Sequence, residues 1–165
     1  PSTSIFDKQS TLYGLHAAEA TIRRTKKVIV VEGYMDVIAA HQYGYEDVVA
    51  SMGTALTVNQ VNLLKSRSSQ FILALDPDTA GQEATLRSLE SSWKVIGSQD
   101  WTSGRNNPLR QRDVASLSIA ELPAGKDPDE LIRSDNGQWK YVIDEALPLI
   151  EFLLPVLAKI GRAHV

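Results

Sequence analysis

Lys27-Val28-Ile29-Val30-Val31 is the stretch of sequence that decides the fold. Its four consecutive β-branched residues favour a strand, and the lack of polar residues among them is typical of a strand buried on both faces. Strands of this kind occur in parallel sheets whose two faces are covered by helices. The stretch therefore predicts an α/β fold, with Gly33 marking the end of the strand.

Apolar runs and helical periodicities alternate along the rest of the chain. This alternation predicts a three-layer α/β domain with a mainly parallel, four-stranded sheet, right-handed crossovers and a C-terminal helical extension. Breaks in the extension are expected near Gly137 and Pro148. The further strands are predicted at residues 47–50, 71–75 and 117–122, and the helices at residues 15–24, 35–44, 57–66, 80–93 and 128–160.

Composition shifts divide the chain into four predicted parts. Residues 1–26 form a lead-in with one helix, and residues 27–135 form the α/β domain, in which 97–113 is a loop insertion rich in Gly, Ser and Asn. Residues 136–160 form the C-terminal helices, and 161–165 are a short tail. Because the chain begins without Met or a signal-like segment, we expect it to be an internal piece of a longer protein.

Charge and composition restrict the function. The 165 residues carry a formal net charge of −3, which argues against a general surface for binding polyanions. The absence of cysteine excludes disulfides and thiolate zinc sites, so any metal here needs oxygen or imidazole ligands. No apolar run approaches the roughly 20 residues that a membrane span requires. We therefore expect no membrane contact and no zinc.

Acidic residues follow three of the predicted strands. Glu32 follows the first, Asp76 and Asp78 follow the strand at 71–75, and Asp127 and Asp129 come shortly after the last. In parallel sheets, ligands bind beyond the carboxyl ends of the strands, and these acids should converge there. Clustered carboxylates repel one another, and a hard divalent cation relieves that repulsion. The pattern predicts a site for Mg²⁺ or Mn²⁺, with room for two or more ions.

Each acidic segment also has a structural interpretation. Glu32 is equally typical of a solvated loop or a helix cap, and Asp-Pro-Asp is a common turn. Asp127 could simply cap the helix that Pro128 begins. Only the recurrence of acids after several strands favours the metal site.

Glycines lie close to the same strand ends. Gly33, Gly53 and Gly81 are candidates for backbone that passes close to a ligand or adopts positive φ. Gly53 and Thr54 could offer N–H groups and a hydroxyl to a phosphate, although an ordinary turn explains them equally well.

The order of these motifs resembles the TOPRIM core of bacterial DnaG-type primases, over most of positions 5–155. The resemblance implies that Glu32, Asp76 and Asp78 are catalytic and ligate the metal, that Asp127 and Asp129 add ligands, and that Asp36 is a supporting acid. The motifs that carry it are Val30-Val31-Glu32-Gly33-Tyr34-Met35-Asp36-Val37, Ala50-Ser51-Met52-Gly53-Thr54-Ala55-Leu56-Thr57, Asp76-Pro77-Asp78-Thr79-Ala80-Gly81 and Gly125-Lys126-Asp127-Pro128-Asp129-Glu130.

The same resemblance implies an activity and partners. The expected reaction is metal-dependent nucleotidyl transfer that makes short RNA primers from NTPs on a single-stranded DNA template in the bacterial cytoplasm. The replicative helicase would bind through a region that this chain lacks, and the chain alone should prime weakly or not at all.

Three alternatives stay open on the sequence alone. The first is a nuclease or a topoisomerase-like enzyme with the same acidic core. The second is a haloacid-dehalogenase-like phosphatase, with Asp76 as nucleophile and Asp78 as acid/base, although that fold places the Asp-x-Asp strand first. The third is a module that binds metal or nucleotide without catalysing a reaction.

Overall fold

A computed structural model describes residues 7–52, 56–75 and 115–154 of the chain. Several predicted features lie outside these residues, namely the helix at 80–93, the insertion at 97–113 and the tail at 161–165. The site candidates Gly53, Thr54, Asp76, Asp78 and Gly81 also lie outside them.

The described residues alternate between helices and strands. In chain order, a 3₁₀ helix (Lys8–Ser10) is followed by α1 (Leu15–Thr25), β1 (Lys27–Val31), α2 (Tyr34–Gln42), β2 (Val48–Ala50), α3 (Val58–Lys65), β3 (Gln70–Leu75), β4 (Ser116–Glu121), α4 (Pro128–Ser134), α5 (Asn136–Asp144) and β5 (Leu147–Pro148). Residues 149–154 are helical.

The strands form one sheet in the order β2-β1-β3-β4-β5. The first four are mutually parallel, and β5 pairs antiparallel with β4. The predicted α/β fold with a mainly parallel sheet is confirmed, but the predicted count of four strands missed β5. Two residues that include a proline show none of the alternation by which a strand is recognised in a sequence.

β1 is buried on both faces, as its sequence predicts. Val28 and Val30 join one apolar core with residues of α1 and α3, whereas Ile29 and Val31 join a second core with residues of α2, α4 and α5. Successive side chains of a strand point to opposite faces, so one five-residue stretch supplies both cores. Burying each of these side chains contributes roughly 1.5–3 kcal/mol. The domain is thus three layers, with helices on both faces of the sheet.

The helical extension is broken at the two places that the sequence indicates. Asp135 separates α4 from α5 and caps α5 by accepting a hydrogen bond from the Gln138 N–H. β5 then contains Pro148, ahead of the helical residues 149–154. Among the described residues, no helix combines the length and apolar character needed to cross a bilayer. The predicted boundaries of the four parts of the chain stay a prediction.

The lead-in segment attaches to the edge of the sheet. Tyr13 and Ala50 exchange two backbone hydrogen bonds of 2.9 and 3.0 Å, which extend the sheet beyond β2. Gly14 follows with a φ of +80°, and a Cβ there would lie 2.7 Å from Cγ1 of Val37. This turn therefore requires glycine, and it directs the chain into α1.

A buried glutamine ties the lead-in segment to α3. Gln60 is fully buried, and its Nε2 donates to the carbonyls of Lys8 and Thr11 at 3.2 and 2.8 Å. Its Oε1 accepts from the N–H of Thr57, whose hydroxyl in turn caps α3. One side chain thus satisfies three backbone groups from two segments.

Replacing Gln60 with leucine should lower the free energy of unfolding by about 2 kcal/mol, because leucine keeps the volume but leaves these backbone groups without partners. Urea denaturation of the chain measures the change. The matched substitution Asn62→Leu, at an exposed amide of the same helix, should stay within about 0.5 kcal/mol of wild type. Equal losses in both variants would contradict the structural role of Gln60.

Candidate active site

An open cleft of about 280 Å³ lies beyond the carboxyl ends of β1 and β3. Glu32 directly follows β1, Ala74 belongs to the end of β3, and Asp127 precedes α4. This is the edge of a parallel sheet at which ligands are expected. The residues that line the cleft are Glu32, Gly33, Tyr34, Met35, Asp36, Ala74, Asp127 and Pro128.

The turn between β1 and α2 places the first acids. Gly33 is the N-cap residue of α2, and its N–H donates to Oδ2 of Asp36 at 3.0 Å. A Cβ on Gly33 would lie 2.9 Å from that same oxygen, closer than such contacts allow. A side chain at position 33 would therefore force the Asp36 carboxylate, which folds back onto the backbone that follows Glu32, to shift.

Asp36 connects this turn to a second one. Its other oxygen, Oδ1, accepts a 3.2 Å hydrogen bond from the N–H of Asp129, in the first turn of α4. One carboxylate therefore receives hydrogen bonds at the N-termini of two helices, where negative charge is favoured. The Asp36 side chain holds the Glu32 and Asp127 segments next to each other.

The surroundings of Asp36 disfavour the ionised form of its carboxyl group. The residue is only 8% exposed, and burial raises the pKa of its carboxyl from 3.8 to about 6. The hydrogen bonds from Gly33 and Asp129 oppose this rise, whereas the nearby charges of Asp127 and Asp129 reinforce it. A cation near this group would favour the ionised form.

Asp127 has two roles in the structure. Its carboxylate accepts a 2.7 Å hydrogen bond from the N–H of Glu130 and so caps α4, with Pro128 at the first helical position. The capping role that the sequence left open is therefore confirmed. Asp127 also lines the cleft, so capping fixes a carboxylate at its edge.

Asp129 has a different set of contacts. Its carboxylate pairs with the guanidinium of Arg133, one turn later in α4, and this hydrogen bond raises the pKa of Arg133. Within the described part of the chain, Asp129 is not among the residues that line the cleft. Its backbone N–H, which binds Asp36, is its link to the site.

The structure thus brings together Glu32, Asp36 and Asp127, from two separate segments of the chain. Asp76 immediately follows Leu75, the last residue of β3. Asp76 and Asp78 both lie outside the described residues. Within residues 7–52, 56–75 and 115–154, no three acidic or histidine side chains are grouped closely enough to hold a metal ion. The roles predicted for the five acids stay predictions.

Four residues that line the cleft were not predicted as site residues, namely Tyr34, Met35, Ala74 and Pro128. Tyr34 and Met35 begin α2, and both line the cleft while remaining exposed to solvent. Tyr34 also makes an edge-to-face contact with Tyr13. The sequence does contain a signal for them, because Tyr34 and Met35 stand between the predicted site acids Glu32 and Asp36.

Known proteins resemble this chain in sequence and in fold. Residues 26–99 match the family described as Toprim domain, a range that includes Glu32, Asp36, Asp76 and Asp78. The DNA primase of Clostridium acetobutylicum is 41% identical over 155 residues, which cover 92% of this chain and 22% of that primase. The chain thus spans about a fifth of that relative's length.

Solved structures give the same result. A DnaG catalytic core is 34% identical, with a TM-score of 0.78, over 96% of this chain and 47% of that one. A DnaG primase catalytic domain bound to ssDNA is 33% identical, with a TM-score of 0.74, over 94% of this chain and 46% of that one. The chain therefore belongs with the Toprim cores of bacterial DnaG-type primases.

Proposed function

We propose that the cleft is part of a metal-dependent centre for nucleotidyl transfer, and that the chain acts in the synthesis of short RNA primers on single-stranded DNA. The observation that carries this proposal is the convergence of Glu32, Asp36 and Asp127 in one cleft beyond the parallel strands. The primases and DnaG cores that the chain resembles support the same reaction. Its substrates would be NTPs and a DNA template paired with a growing RNA primer.

The chemistry of the cleft suits a hard divalent cation. The acidic side chains that line it offer only oxygen, and Asp36 is a buried carboxylate beside two further negative charges. Glu32 and Asp127, together with Asp76 and Asp78, would hold Mg²⁺ or Mn²⁺. When bound, such an ion neutralises phosphate charge and makes a hydroxyl a better nucleophile.

The protein's own contribution is to position these groups. Glu32 follows a strand that is buried on both faces, and Asp127 is fixed by capping α4. Asp36 joins the two segments through its hydrogen bonds to Gly33 and Asp129. Because its own carboxylate already accepts both bonds, we assign it a positioning role. Asp129 pairs with Arg133 through Oδ1, so while this ion pair holds it could act as a ligand only through Oδ2.

A phosphatase is not favoured. In the haloacid-dehalogenase-like mechanism, Asp76 would be the nucleophile on the first strand of the sheet to occur in the chain. Here β1 and β2 both precede β3, and the relatives are DNA primases. A replicative helicase as partner and a cytoplasmic location are proposed from the same relatives.

Metal binding is the direct test of the site. Calorimetry should show that the chain binds Mn²⁺ at millimolar affinity or tighter, and that Asp76→Ala weakens binding at least about tenfold. Asp144→Ala, which removes an exposed carboxylate of α5 outside the cleft, should bind as wild type does. If all three proteins bound Mn²⁺ equally, the proposed centre would be wrong.

Primer synthesis tests the role of Glu32. In the complete gene product that carries this chain, Glu32→Gln should reduce the rate of primer synthesis on single-stranded DNA about a hundredfold or more, because glutamine keeps the shape but removes the charge. Glu145→Gln, an exposed change at the end of α5, is the control. Full activity in the Glu32 variant would contradict its catalytic assignment.

Asp36 should give the fold a measurable pH dependence. Its pKa is about 6 in the folded protein against 3.8 for an ordinary aspartate, so the folded state keeps the proton to higher pH. The free energy of unfolding of wild type, relative to Asp36→Asn, should therefore be greatest below about pH 4 and fall as the pH rises through about 6.

Urea denaturation between pH 4 and 7.5, with a chelator present, measures this difference. Asp144→Asn removes one exposed carboxylate of α5 and is the matched control. If the pH profiles of wild type and Asp36→Asn were parallel, the pKa of Asp36 would be the same in the folded and unfolded protein, and the prediction would be wrong.

A further inference from the structure

Two exposed tyrosines form a pair at the edge of the cleft. The ring centroids of Tyr13 and Tyr34 lie 6.0 Å apart, with an angle of 64° between the ring planes. Tyr34 is 55% exposed and Tyr13 is 38% exposed. Beside them, Met35 is 45% exposed and also lines the cleft. Large apolar side chains are therefore presented to solvent next to the acidic residues.

Both rings are carried on fixed backbone. Tyr13 is held by its two backbone hydrogen bonds to Ala50 at the sheet edge, and Tyr34 is the first residue of α2. The edge-to-face arrangement supports one ring against the other and leaves ring surface open to solvent. The Tyr34 ring, supported by the edge-to-face contact with Tyr13, is thus a preformed aromatic surface that loses little conformational entropy on binding.

Tyr34 links this surface to the proposed reaction. It lies between Glu32 and Asp36 in the chain, and it lines the same cleft. In the proposed function a nucleic-acid strand has to reach these carboxylates. With a net charge of −3, the chain offers little general attraction for phosphate. Stacking on an aromatic ring is independent of charge and contributes about 1–3 kcal/mol per base.

We propose that Tyr34, supported by Tyr13, is a stacking surface for a base of the single-stranded nucleic acid that enters the cleft. The inference rests on the proposed function and deepens it, since it assigns a contact to the strand rather than to the metal. Every base has a stacking face, so the contact is insensitive to sequence. It would hold the strand in position while its backbone lies at the acidic residues.

Photo-crosslinking locates the contact directly. A single-stranded DNA oligonucleotide with 5-iodouracil substituted for thymine is irradiated with the chain in the presence of Mg²⁺, and the linked peptides are mapped by mass spectrometry. We expect crosslinks at Tyr34, with weaker ones at Tyr13, and their loss in Tyr34→Ala. Crosslinks confined to other parts of the chain, or none at all, would overturn the proposal.

Affinity separates stacking from other effects of the substitution. By fluorescence anisotropy, Tyr34→Ala should bind the oligonucleotide about tenfold more weakly than wild type, whereas Tyr34→Phe, which keeps the ring, should bind equally well. An abasic oligonucleotide of the same length should bind weakly and equally to all three proteins. Tyr141→Ala removes an exposed tyrosine of α5 and should have no effect.

The outcomes distinguish this inference from the function on which it rests. If Asp76→Ala loses Mn²⁺ while Tyr34→Ala binds DNA as wild type does, the stacking surface alone is wrong. If Asp76→Ala keeps Mn²⁺ while the Tyr34 crosslink forms, the metal centre is wrong and the strand contact stands. If the complete gene product gives no Tyr34 crosslink, another part of that protein covers the tyrosines, which also overturns the proposal.

Discussion

The burial of β1 on both faces is the constraint on which the rest of the structure depends. Its alternate side chains enter two separate cores, so helices have to cover the sheet on each side. Strands in this position pair in parallel, and their carboxyl ends then share one edge. The location of the cleft follows from this arrangement before any of its side chains is considered.

At that edge, one buried carboxylate organises the others. Asp36 accepts hydrogen bonds from the nearby Gly33 and from Asp129, which lies 93 residues beyond Asp36 in the sequence, and so keeps Glu32 near Asp127. The arrangement places several negative charges close together, and Asp36 is also buried. Both effects disfavour the ionised carboxylate and raise the pKa of Asp36. Such a site is unfavourable in isolation and is improved by a bound cation.

Most of the fold could be predicted from the sequence because its signals are local. The apolar run at β1, the Thr57 cap and the alternation of elements all depend on neighbouring residues. The pairing of Asp36 with the N–H of Asp129 could not be predicted, because it depends on how α2 packs against α4. The exposed Tyr34 was missed for a different reason, since helical periodicity identifies buried residues rather than exposed ones.

Both edges of the sheet, within the residues that the structure describes, offer few backbone groups for pairing with another strand. At one edge the backbone of Tyr13 occupies the groups of Ala50 that would otherwise be open beside β2. At the other, β5 is only two residues long and ends in Pro148, which has no N–H to donate. Short or already paired edges of this kind disfavour edge-to-edge aggregation of a hydrophobic sheet.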